Sequence, residues 1–122
     1  MQMLSRNPAD AYRRVELDAR VAASSGPDLT RICLEEAVAA LGLALLALER
    51  RRSPVDPLSR AHGIITWLAG GVSPENPLRD QLRQFYGGLA ASIGRNIRDP
   101  VDADIEGARN DLRDILAAAQ SA

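Results

Sequence analysis

Apolar residues recur along this chain at alternating steps of three and four, the spacing that lines up side chains on one face of an α-helix. One line reads Leu34, Val38, Leu41, Leu45 and Leu48, and a second reads Leu58, Ala61, Ile65 and Leu68. A third runs Leu78, Leu82, Phe85 and Leu89, and a fourth Val101, Ile105, Ala108, Leu112 and Ile115. No segment alternates with the period of two that a half-buried strand requires. Proline punctuates the pattern: of seven prolines, six follow Asn, Asp or Ser, at Asn7-Pro8, Ser53-Pro54, Asp56-Pro57, Ser73-Pro74, Asn76-Pro77 and Asp99-Pro100. A polar N-cap accepts a bond from an orphan helix N–H, and proline at the next position lacks an N–H that would go unpaired anyway. These signals predict helices over 8–23, 27–52, 57–69 (stopped by Gly70-Gly71), 77–98 and 100–119. One stripe per helix and short connections predict an all-α fold. It is an antiparallel up-down four-helix bundle over 27–119, with 8–24 as an additional N-terminal helix or lid, in a single domain 1–122.

Several helices carry a second apolar line. Leu29, Cys33, Ala37, Ala40, Ala44 and Ala47 run beside the first line of the long helix, with Leu43 and Leu46 beyond. Ile64 and Trp67, then Tyr86, Ile93 and Ile97, do the same farther along. Two readings stand: the central helix is surrounded on all sides, or a groove is left for an amphipathic helix of another protein. Gly87-Gly88, placed mid-helix where each glycine costs about 1 kcal/mol relative to alanine, implies close helix packing or a shallow groove floor. Tyr12 and Val15, with Leu17, are candidates for a lid over the bundle.

Composition narrows the function. The core must be aliphatic, since there are one Trp, one Phe and two Tyr in 122 residues. All basic residues are Arg, interleaved with acids apart from Arg50-Arg51-Arg52, and the net charge is -1. Without a basic face, nucleic acid is not an expected partner. The uncharged stretch from Ala37 to Leu48 falls short of the roughly 20 residues a membrane span needs, so no membrane insertion is expected. The start of the chain lacks a charged segment followed by an apolar run, so no signal peptide is expected. The lone Cys33 fits a reducing compartment.

One His and one Cys offer no metal cluster, and no Gly-rich strand-to-helix loop offers a phosphate cradle; neither metal nor cofactor is expected. Glu35-Glu36 reads as a solvated face rather than a catalytic pair, and no enzyme activity is expected. His62 admits one alternative, a histidine phosphotransfer domain. Such domains place Lys three residues after the reactive His and Gly next, where this chain has Ile65 and Thr66. A structural bundle that self-associates through its apolar surface is another alternative.

The landmarks, taken in order, resemble the FliS flagellar export chaperones over nearly the whole chain. That family shows a leading Tyr, then Ser-Pro-x-x-Leu opening a helix that reads like Leu-Tyr-Asp-Gly-Ala-Ile. Here stand Ala11-Tyr12, then Ser25-Gly26-Pro27-Asp28-Leu29, then Cys33-Leu34-Glu35-Glu36-Ala37-Val38. The family's Lys-Ala-x-x-Ile-Ile-x-x-Leu is matched by Arg60-Ala61-His62-Gly63-Ile64-Ile65-Thr66-Trp67-Leu68. Its Asn-Leu-x-x-Leu-Tyr is matched by Gln81-Leu82-Arg83-Gln84-Phe85-Tyr86, and Leu112-Arg113 resembles its terminal Leu-Arg. The chain departs from the family at Leu34 (often Tyr), at Glu36 (Gly) and in lacking the terminal Trp. The resemblance implies a cytoplasmic chaperone, a monomer or weak homodimer, that binds the C-terminal segment of flagellin. It would prevent premature polymerisation and present the cargo to the export gate protein FlhA. The expected binding residues are Tyr12 and Val15 in the lid, Leu29, Cys33, Ala37 and Ala40 on one groove wall, and Ile64, Trp67, Tyr86 and Ile93 on others.

Overall fold

The uncharged run from Ala37 to Leu48 is helical throughout, inside a first helix, α1, that spans Gly26–Glu49. The computed structural model describes residues 26–121; the leading segment with Tyr12 and Val15 lies outside them. Three more helices follow: α2 (Val55–Gly70), α3 (Arg79–Arg98) and α4 (Asp102–Ser121). Among the described residues there is no strand.

The chain divides into two compact units between Ile32 and Cys33. The described part of the first is the opening of α1. There the Thr30 hydroxyl donates to the Gly26 carbonyl at 3.2 Å and Arg31 lies 3.9 Å from Asp28.

The second unit is a helical bundle. Its connections are short, and contacts across each one set antiparallel neighbours. Arg60 of α2 meets Glu36 of α1 at 3.1 Å, and His62 of α2 lies against Gly94 near the end of α3. Asn96 of α3 reaches Asp104 of α4 at 3.3 Å. The interior is aliphatic: Leu34, Leu41, Leu58, Ile65, Ile93, Ile105 and Leu112 are almost wholly enclosed. Burying a Leu or Ile stabilises by about 1.5–3 kcal/mol, and this layer is what closes the bundle.

The helix ends differ from the proline reading. Of the predicted proline-led starts, α2 begins two residues before Pro57. Its N-cap position is held by Pro54, with Asp56 in the first turn and no side-chain cap. Ser53 instead accepts the Val55 N–H at 3.3 Å. Asn76 caps a turn, accepting the Leu78 N–H at 2.8 Å, and α3 starts after it. Asp99 closes α3 rather than opening α4, its N–H donating to the Arg95 carbonyl at 3.0 Å. The physical reason is common to all three. A short polar side chain before or beside proline satisfies a turn as readily as a helix start, and the tertiary fold chooses between them.

At the other end of α1 the chain turns through Arg51 with φ of 56°. The Arg52 N–H donates to the Ala47 carbonyl at 2.7 Å and the Arg51 N–H to the Leu48 carbonyl at 3.0 Å, the paired bonds of a Schellman motif. The position ordinarily belongs to glycine, since a Cβ in the left-handed region costs about 1–2 kcal/mol. Arg51→Gly should therefore raise stability by about 0.5–1 kcal/mol after the loss of unfolded-state rigidity. A higher urea midpoint with unchanged slope would register it. The run Arg50-Arg51-Arg52 also places cations beside the negative end of the helix dipole.

Candidate functional site

The second apolar lines resolve unequally. On α1, Cys33, Ala37, Ala40 and Ala44 are buried, and Leu29 is half-buried. On α3, Tyr86 and Ile93 are enclosed, at 4% and 1% exposure. These five expected groove residues (Cys33, Ala37, Ala40, Tyr86 and Ile93) are interior side chains here, and a foreign helix cannot touch them without opening the bundle. The reason is rotational. The buried face of α3 carries Tyr86, Leu89, Ile93 and Asn96, about one residue round the helix from the line through Leu78, Leu82, Phe85 and Leu89. Leu78 stands outside the helix, 55% exposed.

On α2 the outcome is the opposite. Leu58, Ala61, Ile65 and Leu68 form the buried face, Ile64 is half-buried, and Trp67 is 51% exposed. Beside Trp67 on the outward side lie Gly63, Thr66 and Gly70, all exposed, and a Cβ at Gly63 or Gly70 would meet no atom within 4 Å. The result is an indole standing proud of a shallow, small-residue helix face. Leu78 sits at the same end of the bundle, where α3 begins. Phe85 meets Tyr86 edge-on at 5.5 Å between centroids.

Gly87 and Gly88 are exposed, and a Cβ at either meets nothing within 4 Å. Among the described residues no neighbouring helix requires them, so the close-packing reading does not hold there. Gly87→Ala and Gly88→Ala should each stabilise by about 1 kcal/mol through helix propensity, seen as a higher melting temperature.

Electrostatics separates two acids that the sequence placed together. Glu36 is not a solvated bystander: it pairs with Arg60, with the two side chains 24% and 13% exposed. Burial raises the Cys33 thiol above its ordinary value, with the Glu36 carboxylate acting in the same direction. Burial likewise raises the Tyr86 hydroxyl, with Cys33 contributing. Both groups favour the protonated form when folded. In the unfolded chain they ionise at about pH 8.5 and 10, so stability is flat below that range and falls as pH rises through it. Urea midpoints at neutral and alkaline pH should show the decline, and Tyr86→Phe should reduce it.

His62 is half-buried, with its Nε2 and Cδ2 edge 3.6 Å from where a Cβ on Gly94 would stand. A phosphoacceptor nitrogen needs in-line access for its donor, and this ring edge faces α3 instead. Among the described residues no group of three or more His, Cys, Asp or Glu is placed to hold a metal, and no helix is long and apolar enough to cross a membrane.

One buried polar residue escaped the hydrophobic pattern. Asn96, 2% exposed, donates to the Ser92 carbonyl at 2.8 Å and to Asp104 at 3.3 Å, and accepts the Val101 N–H at 2.7 Å. It fastens the α3–α4 corner from inside. The only sequence signal was an amide two residues before the helix end and three before Asp99-Pro100.

No protein-family model matches the chain, and no curated protein matches it. The site therefore has to be read from its own chemistry. That chemistry is an apolar helix face with one large aromatic anchor, and no group of three or more metal-ligating side chains lies among the described residues.

Proposed function

We propose that this chain is a non-catalytic helical chaperone that captures an amphipathic helical segment, with the C-terminal segment of flagellin as its cargo. The observation that carries the reading is Trp67, half exposed on α2 beside Ile64 while the equivalent residues of α3 are enclosed. Covering the open part of an indole is worth about 2–3 kcal/mol, enough to anchor a complex on one residue. The small residues around it let a helix approach closely, as in helix-in-groove recognition. The cargo's identity rests on the order and spacing of the FliS-like landmarks, from Ala11-Tyr12 to Leu112-Arg113.

In this reading the chaperone acts in the cytoplasm. It covers a segment that would otherwise polymerise, and hands it to the export gate protein FlhA. Ordering a flexible cargo costs entropy, so affinity per unit area is modest and release is possible. Calorimetric titration with a flagellin C-terminal peptide from the same organism tests the proposal. A saturable one-to-one complex supports it; no heat and no shift in elution with intact flagellin defeats it.

A further inference from the structure

Two helical lines meet at the Arg60–Glu36 ion pair, and the cargo reading so far uses only one of them. On α2, Arg60, Ile64 and Trp67 follow at steps of four and three, so they share one side of the helix. On α1, Glu36, Ala39 and Leu43 do the same at steps of three and four. Arg60 Nη2 meets Glu36 Oε2 at 3.1 Å, so each line borders the other helix. Because α1 and α2 are antiparallel, following each line toward its own C-terminus leads away from the ion pair in opposite directions. Trp67 and Leu43 therefore stand on either side of the pair, each two turns or about 10 Å from it along the helix axis. Leu43 is 39% exposed and Ala39 is exposed, and no charge falls between Ala37 and Leu48. The seam between α1 and α2 thus carries an open, large apolar side chain toward each end and one ion pair midway.

We infer that the helix captured at Trp67 also lies along this seam and sets a second large apolar side chain on Leu43. The inference rests on the cargo reading above and specifies the class of segment the site takes. Two anchors about 21 Å apart match two side chains about fourteen residues apart on a straight helix. A drift of about 20° per heptad leaves both on the same face. The cargo residue midway meets the Arg60–Glu36 pair, whose side chains are 13% and 24% exposed. A large apolar side chain there would strip the remaining water from both charges, and that desolvation can cost more than their attraction returns. A small or polar residue leaves them wetted. The fitting segment therefore reads apolar, polar, apolar at successive steps of about seven. Ala39 on α1 and Gly63 on α2 are small and exposed, and a Cβ at Gly63 would meet nothing within 4 Å, so a backbone can come close between the anchors. The continuity of the seam with the Trp67 face is what assigns the same cargo to Leu43.

Titration of the full chain, followed by calorimetry and by Trp67 emission, tests this with three tryptophan-free probes. One is the flagellin C-terminal segment. The others are designed alanine-based helical peptides with two leucines and a serine midway, the leucines about fourteen residues apart in one and about ten in the other. The wild-type chain should bind the wider-spaced peptide about tenfold more tightly than the other. Leu43→Gln should weaken the flagellin segment about tenfold and abolish the spacing preference, while the emission shift at saturation stays, since the Trp67 anchor is intact. Leu43→Ala repeats the comparison without a new polar group, and circular dichroism should show both variants folded. Flagellin binding with a Trp67 shift that is indifferent to both Leu43 variants overturns the second anchor and leaves capture at Trp67 standing. Equal affinity for the two designed peptides overturns it as well. Spacing-dependent binding of the designed peptides without flagellin binding supports the second anchor and defeats the cargo's identity instead. A chain that binds none of the three overturns both.

Discussion

Tyr86→Asp is expected to unfold the domain, whereas Trp67→Asp should leave it folded and unable to hold cargo. The two aromatic residues look alike in the sequence, each on the second apolar line of its helix, yet they are 4% and 51% exposed. Truncating a buried aromatic costs about 3–5 kcal/mol through lost packing. Placing a carboxylate in the vacated site adds the penalty of an unpaired buried charge. Together these approach the 5–15 kcal/mol total stability of an ordinary domain. At Trp67 the open side of the ring faces water, so aspartate should cost about 1 kcal/mol or less. The loss should instead fall on binding, on the order of 100-fold. Circular dichroism melts and peptide titration of the two variants separate core from site. A cooperative melt for Tyr86→Asp at the wild-type temperature would refute the burial assignment.

Asn96→Ala should be the most damaging change of a polar residue in the bundle. Three hydrogen bonds converge on this side chain, and truncation leaves the Val101 N–H to find another partner at a partly buried corner. Removing one partner of such bonds costs about 1–3 kcal/mol. For a domain of this size about 2 kcal/mol lowers the melting temperature by about 10 °C. Asp104→Ala provides the control. Its bond is the longest of the three, and Asp104 itself is exposed, so its loss should cost about 0.5 kcal/mol or less. Amide exchange at Val101 should accelerate in Asn96→Ala and not in Asp104→Ala.

The fold was legible because helical periodicity and proline are strong local signals. The line Leu58, Ala61, Ile65, Leu68 is buried as its spacing predicts, and so is the middle of the last line at Ile105, Ala108 and Leu112. The ends of that last line differ, with Val101 exposed before the helix begins and Ile115 half-buried. Capping was legible only in part. Asn76 and Asp99 offer the same side-chain chemistry to a turn as to a helix, so residue type alone could not say which. The site was less legible still, for a geometric reason. On α3 two apolar lines share Leu89 and differ by one residue's rotation, about 100°. Either could face the core, and the sequence favoured the line that contains Leu78. On α1 both expected lines are buried or half-buried, and it is the third, through Leu43 and Leu46, that is exposed. Hydrophobicity identifies surfaces that want covering; packing decides which of them the chain covers by itself. Asn96 was missed because a buried amide carries no apolar signature.

The chain has a single tryptophan, and it stands where the proposed cargo lands, so intrinsic fluorescence reads the central claim directly. Titration with the flagellin C-terminal segment should move Trp67 emission to shorter wavelength and saturate at one equivalent as water leaves the indole. A spectrum unchanged at saturating peptide would contradict capture at this face.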